Sequence, residues 1–171
     1  LDRSRDEFRS IVERHQSRVF SIAWRILGES GTAEEVAQDV FLELHKHLSC
    51  LESEEHLTAW LRRVACHRAT DALRRRAARG ERMTEEFKEG LRIMPLTAHP
   101  SPLMNRVELL VYTLPPPQRA VMLMRYQEDL EPEEIADTLA MPLATVRSHL
   151  QRALKFLRSK AERTLKEYLR G

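Results

Sequence analysis

The sequence predicts an all-α fold: two small helical domains joined by a flexible linker, the C-terminal one containing a helix-turn-helix. Three observations carry this. Only five glycines occur among 171 residues, while Leu, Ala, Arg and Glu abound, a composition that leans toward helix. Apolar residues recur at helical spacing nearly throughout. Charge is also segregated in blocks. Residues 29–55 hold eight acids and, of Lys and Arg, only Lys46, whereas 62–79 hold seven arginines and only Asp71. Residues 126–140 hold six acids and no Lys or Arg, and 143–171 hold eight basic residues against Glu162 and Glu167. Two acid-then-basic blocks, one per half, predict two modules, each with a basic working face.

The elements follow in order. Phe8, Ile11, Val12, His15, Val19 and Ile22 mark a first helix ending near Gly28. Thr32, with Glu35 three residues on, forms a capping-box pattern for a second helix that runs to about Leu48. SCLESEEH reads as a loop, and Leu57 begins a third long helix. Between residues 80 and 102 the periodicity fades, and Gly90, Pro95, Pro100 and Pro102 punctuate a linker with at most one helical turn around 85–91. Periodicity returns at Leu103, with Val107, Leu110, Val111 and Leu114 on one face. The triple proline at 115–117 forces a bend, and Pro117 starts a helix over 118–126. A short helix over 132–139, the turn AMP and a long basic helix from about Leu143 complete the chain. The predicted domains are 1–79 and 103–171, with 80–102 between them.

Several function classes are disfavoured. Hydrophobic content of 42% and charged content of 32% describe a soluble folded chain. No apolar run approaches the ~20 residues needed to span a bilayer, and the charged start LDRSRDEF lacks the apolar core of a signal peptide. Cys50 and Cys66 lack metal-ligand spacing and read as free thiols of a reducing compartment, so a cytoplasmic protein is expected. His45 and His47 stand two apart on a helix, about 200° around it, and cannot share an ion. No nucleophile–base pair, glycine-rich phosphate loop or metal cluster is visible, so neither an enzyme nor a cofactor is expected.

Three helix faces carry the functional argument. On the third helix, Leu57, Leu61, Val64, Ala65 and Ala72 form the core side, and Trp60, Arg63, His67, Asp71 and Arg74 share an adjacent face. Arginines bind phosphate and an indole stacks on an unpaired base, so this row suits DNA. A solvated basic face and a membrane-surface helix compete with that reading, though small residues on the apolar side disfavour the membrane. Arg68 points toward the core side and is expected to pair with an acid of a neighbouring helix. Arg75, Arg76 and Arg79 cluster at the helix end, placed for phosphate. On the second helix, Val36, Ala37, Val40, Phe41, Leu44 and Leu48 form the buried stripe. Opposite lie Glu35, Gln38, Asp39, Leu42 and Lys46, and a leucine ringed by polar residues resembles the centre of a docking patch. A single scattered exposed leucine is the competing reading. The third face lies in EPEEIADTLAMPLATVRSHLQRALKFLRS, where two helices around a three-residue turn fit a helix-turn-helix. Leu143, Val146, Leu150, Ala153, Leu154 and Leu157 form its expected buried stripe. Thr145, Ser148, Arg152 and Lys155 project outward, with Arg147 and Gln151 at the flank. Arg and Gln read G and A edges in a major groove, while Ser, Thr and Lys grip phosphates.

Taken in order, AEEVAQDVFLELHKHL, HLTAWLRRVACHRATDALRR and LPPPQRAVMLMRYQEDLEPEEIADTLAMPLATVRSHLQRA resemble a bacterial sigma factor of the sigma-70 family, in its extracytoplasmic-function (ECF) group. The resemblance covers roughly residues 5–79 and 103–160. It implies that Glu35, Gln38, Asp39 and Leu42 contact the clamp helices of the largest subunit of core RNA polymerase. It implies that Trp60, Arg63, His67, Asp71 and Arg74 engage the −10 element, with the loop 50–56 forming a pocket for a flipped base. Thr145, Arg147, Ser148, Gln151, Arg152 and Lys155 would serve the −35 element. By the same resemblance, the flap of the second-largest polymerase subunit, promoter DNA and an anti-sigma protein (often membrane-bound in this group) are partners. No small-molecule substrate is implied. His67 stands where many relatives have Asn, Leu51 where many have an aromatic residue, and Ala144 where glycine is frequent. In isolation the helix-turn-helix equally resembles that of a free-standing DNA-binding regulator, which would need neither the arginine–tryptophan row nor an exposed Leu42.

Overall fold

The computed structural model describes the backbone of residues 2–80 and 110–170, and the side chains of 5–80 and 110–170 apart from 164 and 168. It divides into two compact units, Leu1–Glu86 and Phe87–Gly171. Among the described residues there is helix and no strand. The expected linker turn around 85–91 and the face begun by Leu103 and Val107 lie outside the described residues.

In the first unit three helices pack pairwise against one another: α1 (Asp2–Leu27), α2 (Ser30–His47) and α3 (Glu54–Ala78). Ile11, Val19, Ile22, Ala23, Ile26 and Leu27 supply the buried side of α1. Gly28 stops it with φ +72°, a left-handed conformation natural to glycine, and its amide donates to the Trp24 carbonyl (2.6 Å).

The expected cap of α2 is corrected. The helix begins at Ser30, with Glu29 rather than Thr32 at its N-cap, and no side chain caps it. The Thr32 hydroxyl instead donates to the Glu29 carboxylate (2.9 Å), which also pairs with Arg76 Nη1 on α3 (3.0 Å). That tertiary anchor holds the chain where the Gly28 turn delivers it, so helix resumes at once. Val36, Val40, Phe41 and Leu44 are buried as expected, Ala37 and Leu48 half-buried. One 3₁₀ turn, Leu48–Cys50, follows.

α3 also begins earlier than expected. The Ser53 side chain accepts the His56 amide (3.1 Å), and Glu54 and Glu55 sit in the first turn, where carboxylates favour the helix dipole. Leu57, Leu61, Ala65, Cys66, Ala69 and Ala72 are buried, while Val64 is half-buried.

Among the described residues, the second unit holds α4 (Pro116–Tyr126), α5 (Pro132–Leu139) and α6 (Leu143–Arg170). α4 starts one residue before Pro117, still with proline in its first turn. It is buried on nearly every side from Arg119 to Met124, and the Arg119 guanidinium donates to the Tyr112 carbonyl (3.4 Å). α5 opens with a reciprocal capping box between Glu131 and Glu134, and Pro at its first position. It ends at Ala140, held left-handed at φ +47°. Leu114, Met122, Ala153 and Leu157 form a core cluster, with Leu110, Val111, Leu150 and Phe156 packed on it. Leu154 does not join this stripe: it is 42% exposed. It stands about 100° around the helix from Ala153, beyond the side that faces α4, and Phe156 takes the flanking place instead.

Candidate polymerase and nucleic-acid interfaces

On α2, Glu35, Gln38, Asp39 and Lys46 are exposed and Leu42 is 64% exposed. The burial of Val36, Val40 and Leu44 on the far side enforces this. Leu42 is also one wall of an open groove of about 720 Å³ between α1 and α2, floored by Phe8, Val12, Phe20, Ala37 and Phe41. The α1 side of that groove was not legible in the sequence. Phe8 and Val12 serve there only to mark the helical repeat of the first helix, and both are half-buried. An apolar floor beside a polar-ringed leucine is the anatomy of a protein-docking surface.

On α3 the row survives in three dimensions. Arg63, His67 and Arg74 are exposed, and Trp60 and Asp71 are half-buried. Asp71 stands between its neighbours, 3.5 Å from His67 Nε2 and 3.5 Å from Arg74 Nη1. Both separations exceed a tight hydrogen bond, so the three side chains are aligned but not locked. Arg63 makes no ion pair with another described residue. Trp60 rests against His47 of α2, ring centroids 6.1 Å apart and tilted by 48°. The contact joins two helices, so the spacing within either one does not show it. Arg68 pairs with Glu43 of α2 through Nε (3.1 Å) and Nη2, as expected. The Glu43 hydrogen bond is the chief reason its guanidinium pKa is raised.

Arg76 is corrected. It is 8% exposed, bound to Glu29 and, through Nη1, to the Leu27 carbonyl (3.5 Å), so it serves the fold rather than phosphate. Arg75 and Arg79 stay at the exposed helix end.

In the helix-turn-helix, Arg147, Gln151, Arg152 and Lys155 are exposed, and Thr145 and Ser148 are half-buried along the same side. Arg147 Nη2 reaches Glu133 Oε1 of α5 (3.1 Å), bracing the two helices across the turn. Both groups are well solvated, so the pair is weak and opens at little cost. His149, one turn before Arg152, has its Nδ1 buried without a hydrogen-bond partner among the described residues. Burial, and secondarily the Arg152 charge, lowers its pKa. Among the described residues no group of His, Cys, Asp and Glu is placed to hold a metal. No described helix is long and apolar enough to cross a membrane.

These features define a class: a two-unit helical protein with a basic aromatic row in one unit and a helix-turn-helix in the other. The model of sigma-70 region 2 matches residues 11–79, and that of sigma-70 region 4 matches 104–157. The ECF RNA polymerase sigma factor SigW of Bacillus subtilis is 25% identical over 90% of this chain and 88% of its own length. The ECF sigma factor SigE of Mycolicibacterium smegmatis is 30% identical over 86% of this chain and 59% of its own length. A co-crystal structure of the sigma factor RpoE with the anti-sigma factor NepR, from Bartonella quintana, shares the fold at TM-score 0.62 and 17% identity, covering 90% of this chain and 95% of that one. The chain belongs to the sigma-70 family of RNA polymerase sigma factors, which act in transcription initiation and are not enzymes. Its named relatives fall in the ECF group.

Proposed function

We propose that the chain binds core RNA polymerase and directs it to promoters carrying −10 and −35 elements, working in the cytoplasm. The single observation that carries this is the order of its two family matches, region 2 before region 4, with Leu42, Arg63 and Arg152 exposed. Residues 1–79 and 103–171 act as the two domains, and 80–102 as the connection.

Leu42, with Glu35, Gln38 and Asp39 around it, docks on the clamp helices of the largest subunit. The apolar groove beside Leu42 supports that role. Trp60, Arg63, His67, Asp71 and Arg74 engage the −10 element once its strands part. Arg63 and Arg74 hold phosphate, Trp60 offers a stacking plane, and His67 meets a base edge with Asp71 behind it. Thr145, Arg147, Ser148, Gln151, Arg152 and Lys155 enter the −35 major groove, Arg147 exchanging Glu133 for DNA. The second unit also meets the flap of the second-largest subunit. No catalytic step belongs to the chain: binding energy toward the melted form drives opening. An anti-sigma protein, in some cases membrane-anchored, holds the factor inactive; the RpoE–NepR complex supports such a partner.

The test is to assemble the purified chain with core polymerase and select transcribed templates from a randomised promoter library. The expected result is a two-element consensus, lost with Leu42→Arg. A chain that fails to bind core, yet binds one duplex tightly alone, is a free-standing regulator and the proposal is wrong.

A further inference from the structure

The long helix α6 does more than complete the helix-turn-helix. The region 4 match ends at residue 157, but the helix runs on to Arg170. Along it, Arg152, Lys155, Ser159, Arg163, Lys166 and Arg170 follow each other at spacings of three or four, which places them on one continuous face. This is the same side as Thr145 and Ser148. Every member is exposed, and none of the five cations forms an ion pair with another described residue. Elsewhere the arrangement differs: Arg14, Arg68, Arg76, Arg125 and Arg147 each meet a carboxylate. The acids of this stretch, Glu162 and Glu167, occupy no position of the row, although Glu162 stands at its edge.

Dimensions indicate what such a row would meet. At 1.5 Å per residue, Arg163 lies about 16 Å along the axis from Arg152, and Arg170 about 27 Å. A major groove is about 12 Å wide. With the start of α6 in the groove, a straight helix therefore carries Arg163, Lys166 and Arg170 past its wall, where the sugar–phosphate backbone lies. Cations carried beyond the groove lie out of reach of base edges and meet phosphate there. The exposed leucines of this region, Leu154, Leu165 and Leu169, lie on a separate flank, about 100° around the helix, so apolar docking and the basic row do not share a face.

We infer that Arg163, Lys166 and Arg170 form an accessory phosphate-binding extension that grips duplex DNA beside the −35 element, adding affinity without sequence preference. This rests on the −35 reading of the helix-turn-helix given above. The test uses holoenzyme on a promoter recovered from the library. Wild type is compared with the triple variant Arg163→Gln, Lys166→Gln, Arg170→Gln, in which glutamine preserves helix propensity. Each lost phosphate contact lowers the slope of log K against log salt by about 0.9, so the triple variant is expected to lose about 2–3 from the slope. It should also lose hydroxyl-radical protection of the backbone flanking the −35 element while selecting the same consensus. Arg163→Lys with Arg170→Lys should retain both. An unchanged slope and footprint in the triple variant overturns the extension, while loss of binding in Arg152→Ala would leave the helix-turn-helix reading standing. Weakened holoenzyme assembly in Leu165→Glu, Leu169→Glu, with the triple variant unaffected, assigns the segment to protein docking and equally overturns it. A holoenzyme that recovers no promoter refutes the underlying reading and the extension together.

Discussion

Arg76 shows how a single residue's role depends on its neighbours. By sequence it is one of the seven arginines of residues 62–79, yet it is the one of these buried against Glu29 and the end of α1. Removing one partner of a buried pair leaves the other charge uncompensated, at about 3–5 kcal/mol. Glu29 keeps some contact with water, so Arg76→Met is expected to cost about 2–3 kcal/mol. Trp24 and Trp60 both lie in the first unit, so tryptophan fluorescence during urea unfolding isolates this loss as a lower midpoint. His149 makes a pH prediction. Its pKa in the folded chain lies below the ordinary imidazole value of about 6.5. Between those two values the unfolded chain binds a proton that the folded chain does not, so stability falls as pH drops through that window. Above about 6.5 this dependence vanishes, and below the lowered folded value it levels off. Thermal melts of wild type and His149→Gln across pH 4–8 check it: the acid-side loss attributable to this site should disappear in the variant.

At the scale of elements, helix ends separate what was legible from what was not. The bounds of α5, 132–139, follow from local sequence, with Pro132 at its start and the AMP turn after it. The start of α3 is equally local, set by Ser53 with Glu54 and Glu55 behind it, three residues before the apolar repeat begins at Leu57. The start of α2 was different, because Glu29 is drawn there by Arg76, far along the chain. Ala140 gives a test at this scale. Its left-handed φ of +47° strains a side chain with a Cβ, and glycine removes a strain of about 1–2 kcal/mol against a smaller entropic cost. Ala140→Gly should therefore raise the melting temperature of the helix-turn-helix unit, measured by circular dichroism. A lowered melting temperature would show that the turn favours alanine.

For the whole molecule, two units imply separable functions. Leu42→Arg is expected to abolish core binding, measured by native gel shift with purified polymerase. Because Leu42 is mainly exposed, the urea midpoint should stay within about 0.5 kcal/mol of wild type. Arg152→Ala should do the reverse, keeping core binding while weakening −35 recognition by about 1–3 kcal/mol. Loss of both activities in either variant would contradict this division.

Helix periodicity, the two-part organisation and the three outward faces were determined by sequence alone, because each follows from the 3.6-residue repeat and from local charge. The exposed Leu42 and the turn of Arg68 toward an acid of a neighbouring helix were legible for that reason, while the identity of that acid, Glu43, came from the packing of α2 on α3. Only tertiary structure decided that Arg76 serves the core, that Leu154 is exposed and that Trp60 leans on His47. Each of these depends on which helix lies opposite, and one helix's periodicity defines a face without naming its neighbour.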